Sequence, residues 1–470
     1  MQFSVVNFGD VDLGNRIDAE YFQPTYLYIE NKLIEKHATP LRAFCYITGS
    51  AFYPAATHLY ETGDLTFIRC VDCIPYPIIT SRQDDLFEKI PQAFADEHKN
   101  IKRLTKGEIV ITKVGTPCYA SIIHDINDVA LSRTVLGLKH IKNINPYYLV
   151  AFLRSKYGFL QLFRERELTI QFQLTLDRVG NVLVFKPINK FLEELIADCF
   201  SFHEVLKRKF ENLFNEAENL VLGELGLSNW QSKHQLSFVK NYSDTEQADR
   251  IDAEYFQPKY DEIVKAIKSY PGGWDALGNL VKLKDKNFDP QDKVEYKYIE
   301  LSNIAGNGEI TDCMVEEGQD LPGRARRKVA TGDVIVSSIE GSLSSIALIE
   351  KEYEQALCST GFHIINSKSL NAETLLVFMK SIVGQLQLKK GCSGTILTAI
   401  NQDEFKQVVL PKINVTIQNQ IQQKITESFN LRKQSKHLLE CAKRAVEIAI
   451  EQGEDKAIKL LQEQAKEAGL

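Results

Sequence analysis

Three groups of residues have the types and spacing to do chemistry. Cys70-Val71-Asp72-Cys73 carries the cysteine spacing of half a structural zinc site, yet tetrahedral zinc needs four ligands. No second pair follows, so burial of both cysteines is the more economical reading. The glycines in Ile304-Ala305-Gly306-Asn307-Gly308-Glu309-Ile310 have the composition of a loop that cradles phosphate. No helix start with Lys-Ser or Lys-Thr follows, so the segment predicts a tight hairpin turn through residues that tolerate positive φ. The third group is basic: Lys99, Lys102, Arg103 and Lys106, and again Arg324, Arg326, Arg327 and Lys328. Such density on a short loop or edge suits contact with nucleic-acid phosphates, and Arg can also grip guanine O6 and N7. A solvated loop is the alternative.

Catalytic motifs are otherwise missing. Asn145-Pro146-Tyr147-Tyr148 resembles the Asn-Pro-Pro-Tyr loop of adenine methyltransferases but lacks its second proline, and the matching stretch Asn371-Ala372-Glu373-Thr374 has none. Asn as a helix cap with Pro at the first helical position explains it more simply. The chain has no GxxxxGK[ST] loop, no GxSxG elbow and no HExxH helix. The expectation is a protein that is not itself an enzyme and uses no cofactor or metal.

The elements that position these groups occur twice. Residues 16–26 read RIDAEYFQPTY and residues 250–260 read RIDAEYFQPKY, differing only at Thr25 against Lys259. From Ala130 and from Ala356 the chain aligns with itself without gaps, matching Leu131 with Leu357, Thr134 with Thr360, Asn145 with Asn371, Phe152 with Phe378, Ser155 with Ser381 and Gly158 with Gly384. In each copy β-type runs, Glu108 to Val114 and Asp333 to Ile339, follow a Gly-acidic pair, and the basic cluster lies just before it. Lys113 and Arg133 in the first copy stand opposite Ser338 and Ser359 in the second. Matched scaffold with diverging exposed polar residues is what two similar readers of different bases require. Drift would also produce it.

Each copy passes through a proline, Pro187 or Pro411, into an amphipathic helical pattern. Leu192, Ile196, Cys199, Leu206, Phe210, Leu213, Ala217 and Leu220 keep a 4-3 spacing interrupted only by His203, which fits a seam or edge residue better than a ligand. Ile417, Ile421, Ile425, Phe429, Leu431, Leu438, Ala442, Ala445 and Ala449 form a weaker stripe. A helix with one apolar stripe is marginal alone, so the two are expected to pack antiparallel with the globular parts at opposite ends. About 30 residues at roughly 1.5 Å each give about 45 Å, enough to address sites about one turn of B-DNA apart, roughly 34 Å.

The expected fold class is α+β: two similar mixed α/β target-recognition domains joined by two long antiparallel coiled-coil helices with internal pseudo-twofold symmetry. The expected domains are residues 1–187, a central helix 188–230, a linker 231–249, a second domain 250–411 and a C-terminal helix 412–470. At 470 residues two domains are unsurprising. A net charge of −6 requires any DNA surface to be local or supplemented by partners. The N-terminal segment lacks a basic leader and apolar core, no apolar run approaches the roughly 18 residues that cross a bilayer, and nine scattered cysteines suit reduced thiols. A cytoplasmic protein without a membrane partner is expected.

The RIDAEYFQPxY opening of each half, the Gly-Glu or Gly-Asp strand, the proline before the long helix and the C-terminal LLECAKRAVEIAIEQGEDKAI together resemble the specificity subunits of type I restriction-modification systems. The resemblance covers essentially the whole chain in the order module, helix, module, helix. It implies a non-catalytic subunit that reads a split, asymmetric site on double-stranded DNA through Lys99, Lys102, Arg103, Lys106, Lys113, Arg133, Arg324, Arg326, Arg327, Lys328 and Ser338. It further implies two methyltransferase subunits docked on helices Phe191 to Leu222 and Ile417 to Ile450, and a restriction motor-nuclease as a further partner. The chain departs from the family pattern at Lys190-Phe191-Leu192-Glu193-Glu194, where the glutamine often found after the proline is missing. An enzyme that modifies DNA alone, and a coiled-coil scaffold that binds none, are the competing readings.

Overall fold

The computed structural model describes residues 4–5, 18–115, 118–167, 173–284, 286–311, 313–394 and 398–467. Arg16 and Ile17, which open the first repeated segment, lie outside them. Contacts divide the chain into two units, Met1–Leu206 with Lys433–Leu470, and Lys207–Arg432. Both long helices, Lys190–Glu224 and Val415–Gln452, contribute residues to each unit.

In the first unit one sheet runs in the order Tyr46–Gly49, Val135–Lys139, Ile109–Thr112, Ala120–Ile123, Ile78–Ile79, and a second in the order Lys89–Ile90, Leu65–Ile68, Val129–Leu131, Arg103–Leu104. The second unit repeats the plan. Its first sheet runs Val281–Leu283, Phe362–Ser367, Val334–Ser337, Ile346–Leu348, and its other sheet Met314–Glu317, Glu295–Ile299, Leu357–Ser359, Ala325–Lys328. Most pairings are antiparallel. The parallel pairing of Phe67 with Ala130 recurs as Tyr298 with Leu357, whereas the parallel pairing of Ile78 with Ile122 has no counterpart among the described strands of the second unit. Ile109–Thr112 and Val334–Ser337 are buried at every position, as strands covered on both faces must be.

Strand register corrects the gapless alignment by one residue. Val135 pairs with Thr112, whereas Phe362 pairs with Ser337. Val135 therefore matches Phe362, and Leu131 matches Cys358 instead of Leu357. The offset from first copy to second is 227 in these strands and 226 at Asn145 and Asn371, so the second copy's connecting loop is one residue shorter. Apolar alternation alone could not place that deletion, since both registers bury apolar side chains.

The recurring motifs trace to turns and caps. Gly107 and Gly332 have φ of 82° and 86°, where only glycine is unstrained, and the acid that follows closes the turn. Glu108 accepts the Thr105 N–H at 3.0 Å and Asp333 accepts that of Ala330 at 2.8 Å. In the RIDAEYFQP segments Asp18 and Asp252 each accept a tyrosine N–H at 3.0 Å, from Tyr21 and Tyr255, while Phe22 and Phe256 are buried and the proline opens a helix. Asn145 and Asn371 cap Pro146–Arg154 and Ala372–Lys380. Ser155 and Ser381 cap the helices that follow.

The missing glutamine has a counterpart. Gln418 accepts the Asn371 N–H at 2.8 Å, and in the first copy Glu193 accepts the Asn145 N–H at 2.5 Å. Both are buried, so a carboxylate performs the amide's task.

Within each unit the long helices pack antiparallel. In the first, His203 Nδ1 lies 2.8 Å from Ser435 Oγ, and along the same two helices Leu192, Ile196, Leu438, Ala442, Ala445 and Ala449 are buried. In the second, Ser428 Oγ donates to the Phe210 carbonyl at 2.8 Å, and Ala217 and Val221 share a core with Ile421, Ile425 and Phe429. His203 is thus a seam residue. The second long helix stops before Gly453, at φ 104°, and a further helix, Glu454–Glu467, follows. Glu454 accepts the N–H groups of Ile188 and Asn189 at 2.9 and 2.8 Å.

Close packing at the short helices gives a direct test. A Cβ on Gly384 would lie 2.2 Å from the Phe378 carbonyl oxygen. Gly384→Ala is expected to cost about 1–3 kcal/mol, the scale of overpacking, measured by urea unfolding.

Candidate nucleic-acid interface

The candidate contact residues read from the sequence fall into two groups in each unit. The first lies on an edge strand. Arg103 belongs to Arg103–Leu104, and Arg326, Arg327 and Lys328 belong to Ala325–Lys328 at the equivalent edge. Lys99 and Lys106 are exposed, and Lys102 donates to the Lys99 carbonyl at 3.1 Å. Several of these charges are already committed. Arg103 bridges Asp96 at 2.8 Å and Asp128 at 2.6 Å, Arg324 pairs with Glu300 at 2.9 Å, and Arg326 pairs with Asp289 at 2.8 Å. The Glu300 carboxylate, with the Tyr298 hydroxyl, holds the Arg324 guanidinium above its ordinary pKa. Arg327 Nε is buried and meets no acceptor among the described residues. Lys328 Nζ lies over the Phe288 ring at 4.7 Å.

The second group sits where the central strand of the first sheet ends. The Lys113 N–H donates to the Thr134 carbonyl at 2.8 Å, which places Lys113 beside the turn that carries Arg133. Ser338 occupies the matching place, donating its N–H to the Gly361 carbonyl at 2.9 Å and its hydroxyl at 2.8 Å. By this register Arg133 corresponds to Thr360 and not to Ser359. Arg133 is exposed, and its guanidinium lies 5.1 Å from the Tyr53 ring and 6.0 Å from the Phe52 ring. Its N–H donates to the Tyr53 hydroxyl at 3.2 Å, and burial raises the pKa of that phenol.

Phe52 and Tyr53 escape a reading of the sequence. Adjacent aromatics after a strand pass for core, as Tyr53 is, at 6% exposed. Phe52 is 77% exposed while its backbone is tethered: Asn100 Nδ2 donates to its carbonyl at 3.1 Å and the Ala51 N–H to the Asn100 carbonyl at 3.1 Å. The signal was the basic loop Lys99 to Lys106 facing this segment, visible only once the strands are paired.

The other chemical candidates resolve into structure. Cys70 and Cys73 lie on the short helix Cys70–Cys73 in an apolar cluster with Ile68, Ile79, Phe87 and Leu104, and burial pushes the Cys73 thiol up. Among the described residues no group of three His, Cys, Asp or Glu is placed to hold a metal. The Gly306 to Glu309 segment is a turn, closed by the Ala305 N–H on the Glu309 carbonyl at 2.8 Å and an Ile304 to Ile310 bridge. No described helix is long and apolar enough to cross a membrane.

The arrangement defines a duplicated mixed α/β fold with a basic edge in each copy. Solved structures similar to this chain include the S subunit of a type I restriction-modification system from M. genitalium, at 11% identity and TM-score 0.39, covering 90% of this chain and 95% of that one. The HsdS subunit from Thermoanaerobacter tengcongensis is similar at 12% identity and TM-score 0.28, over 88% of this chain and 96% of that one. The type IIG restriction endonuclease BpuSI matches 40% of this chain and 29% of its own at 13% identity and TM-score 0.31. No family model and no curated protein matches the sequence.

Because the Arg326 pair is partly exposed, Arg326→Gln is expected to change stability by less than about 1 kcal/mol. Asp333→Ala deletes a fully buried carboxylate that pairs with Lys284 at 2.6 Å and accepts the Ala330 N–H at 2.8 Å, and the orphaned donors are expected to cost about 1–3 kcal/mol. Urea unfolding of the two variants separates interface charges from scaffold charges.

Proposed function

We propose that the chain is the DNA sequence-recognition subunit of a type I restriction-modification complex, with one recognition domain in residues 1–187 and the other in residues 250–411. The carrying observation is that both units keep one strand order apart from the extra edge strand Ile78–Ile79, one set of caps and one basic edge, while polar positions at the strand ends diverge, the half-buried Lys113 against Ser338 and the exposed Arg133 against Thr360. Two readers of different half-sites need that combination: phosphate contacts position each domain and differing side chains select bases. The site is therefore bipartite and asymmetric. Methylation and cleavage belong to partners, two methyltransferase subunits docked on the helices of 188–230 and 412–470 and a motor nuclease, with the protein acting in the cytoplasm. The sequence resemblance to type I specificity subunits supports the same reading, and the motifs that would let this chain modify DNA alone are missing from it.

Neutralising Arg324, Arg326 and Arg327 to Gln tests this. Affinity for duplex DNA of many sequences is expected to fall, and the slope of log affinity against log salt to shrink by about 0.9 for each phosphate contact removed. Unchanged affinity and slope, measured by fluorescence anisotropy across salt, would favour the scaffold reading. Methylation or nicking of DNA by the purified chain alone would favour the enzyme reading.

A further inference from the structure

We infer that Arg133 is a base-reading residue of the first domain, presented by Phe52 and Tyr53, and that its ligand is a guanine edge in the major groove. The inference rests on the proposed DNA-recognition role and assigns one contact within it. Among the basic residues of the first unit, Arg103 is held by two carboxylates, whereas Arg133 pairs with no carboxylate among the described residues. Its guanidinium is exposed, yet it is not a loose surface charge. The Tyr53 and Phe52 rings lie 5.1 and 6.0 Å away, and the Arg133 backbone is fixed by its N–H on the Tyr53 hydroxyl. Ser50 Oγ ties the aromatic segment to the strand beside it, donating to the Leu131 carbonyl at 2.7 Å and accepting the Lys102 N–H at 2.9 Å. Cation–π attraction to the two rings favours this placement of the guanidinium before any ligand arrives, so less freedom is lost on forming a paired hydrogen bond.

A guanidinium biased in this way and without a carboxylate partner among the described residues matches the two acceptors O6 and N7 of guanine, a pairing that Lys cannot make in bidentate form. The second unit lacks this device. Thr360 takes the place of Arg133, and the aromatic at the equivalent strand exit, Phe288, lies under Lys328 and beside Tyr296. The two domains therefore differ in the chemistry offered at one scaffold position.

The test replaces the chromosomal gene in native cells with Arg133→Ala, Arg133→Lys or Phe52→Ala and sequences the methylome. Deleting the gene first removes the wild-type motif if the chain is a specificity subunit; an unaltered methylome after deletion sinks that role, independently of Arg133. With the motif established, Arg133→Ala and Arg133→Lys are both expected to relax a single G·C position in one half-site by about fivefold to a hundredfold, leaving the other half-site unchanged. Phe52→Ala is expected to weaken the same preference partially. If Arg133→Lys keeps the motif intact, or if Arg133→Ala lowers methylation evenly with every position still specified, Arg133 contacts phosphate and the inference is overturned. Melting temperatures of the purified variants equal to wild type exclude unfolding as the cause.

Discussion

The constraint on which the structure depends is that a helix of more than thirty residues with one apolar stripe must have that stripe covered. Each unit meets it in the same way, with an antiparallel length of the other long helix and the short helices of its own domain. Ala442, Ala445 and Ala449 are buried in the first unit, while in the second Ala217 shares a core with Ile421, Ile425 and Phe429 and Ser428 bonds directly to the facing backbone. A closely packed seam tolerates little change in side-chain volume. Variation between the copies is thereby pushed outward, to strand ends and edges.

That division explains why particular segments recur. The RIDAEYFQP identity is a turn capped by Asp, a buried Phe and a proline-led helix, and the Gly-acidic pair is a positive-φ turn closed by its own carboxylate. None of these residues needs to touch a ligand to be retained. Conversely, Arg133 and Thr360 are exposed on a fixed backbone frame and differ, as do Lys113 and Ser338, although the Ser338 hydroxyl also bonds the Gly361 carbonyl. The Glu193 and Gln418 pair shows the same logic in miniature, where the hydrogen bond is kept and the side chain that makes it is free to change.

Much of this was legible before any coordinates. The duplication, the long helices, the seam position of His203, the cap at Asn145 and the turn at Gly306 follow from spacing and capping chemistry, and each is found. The register of Val129–Leu131 and Val135–Lys139 was not, because a one-residue deletion in an exposed loop leaves the apolar pattern intact in either alignment. The candidate interface was only half legible. Density of Lys and Arg located the edge strands, but the pairing of Arg103, Arg324 and Arg326 with Asp96, Asp128, Glu300 and Asp289 is set by strand and loop placement, which residue spacing does not show. The exposed Phe52 could not be told from a core aromatic, since exposure is decided by strand pairing.

The central claim is that one chain carries two independent readers of DNA. Its most direct measurement is selection from a pool of random duplexes by the full chain assembled with its partner subunits, followed by sequencing of the retained DNA. The account predicts two specified blocks of different sequence separated by a fixed number of unspecified base pairs. A single uninterrupted block, or no enrichment at all, would contradict it.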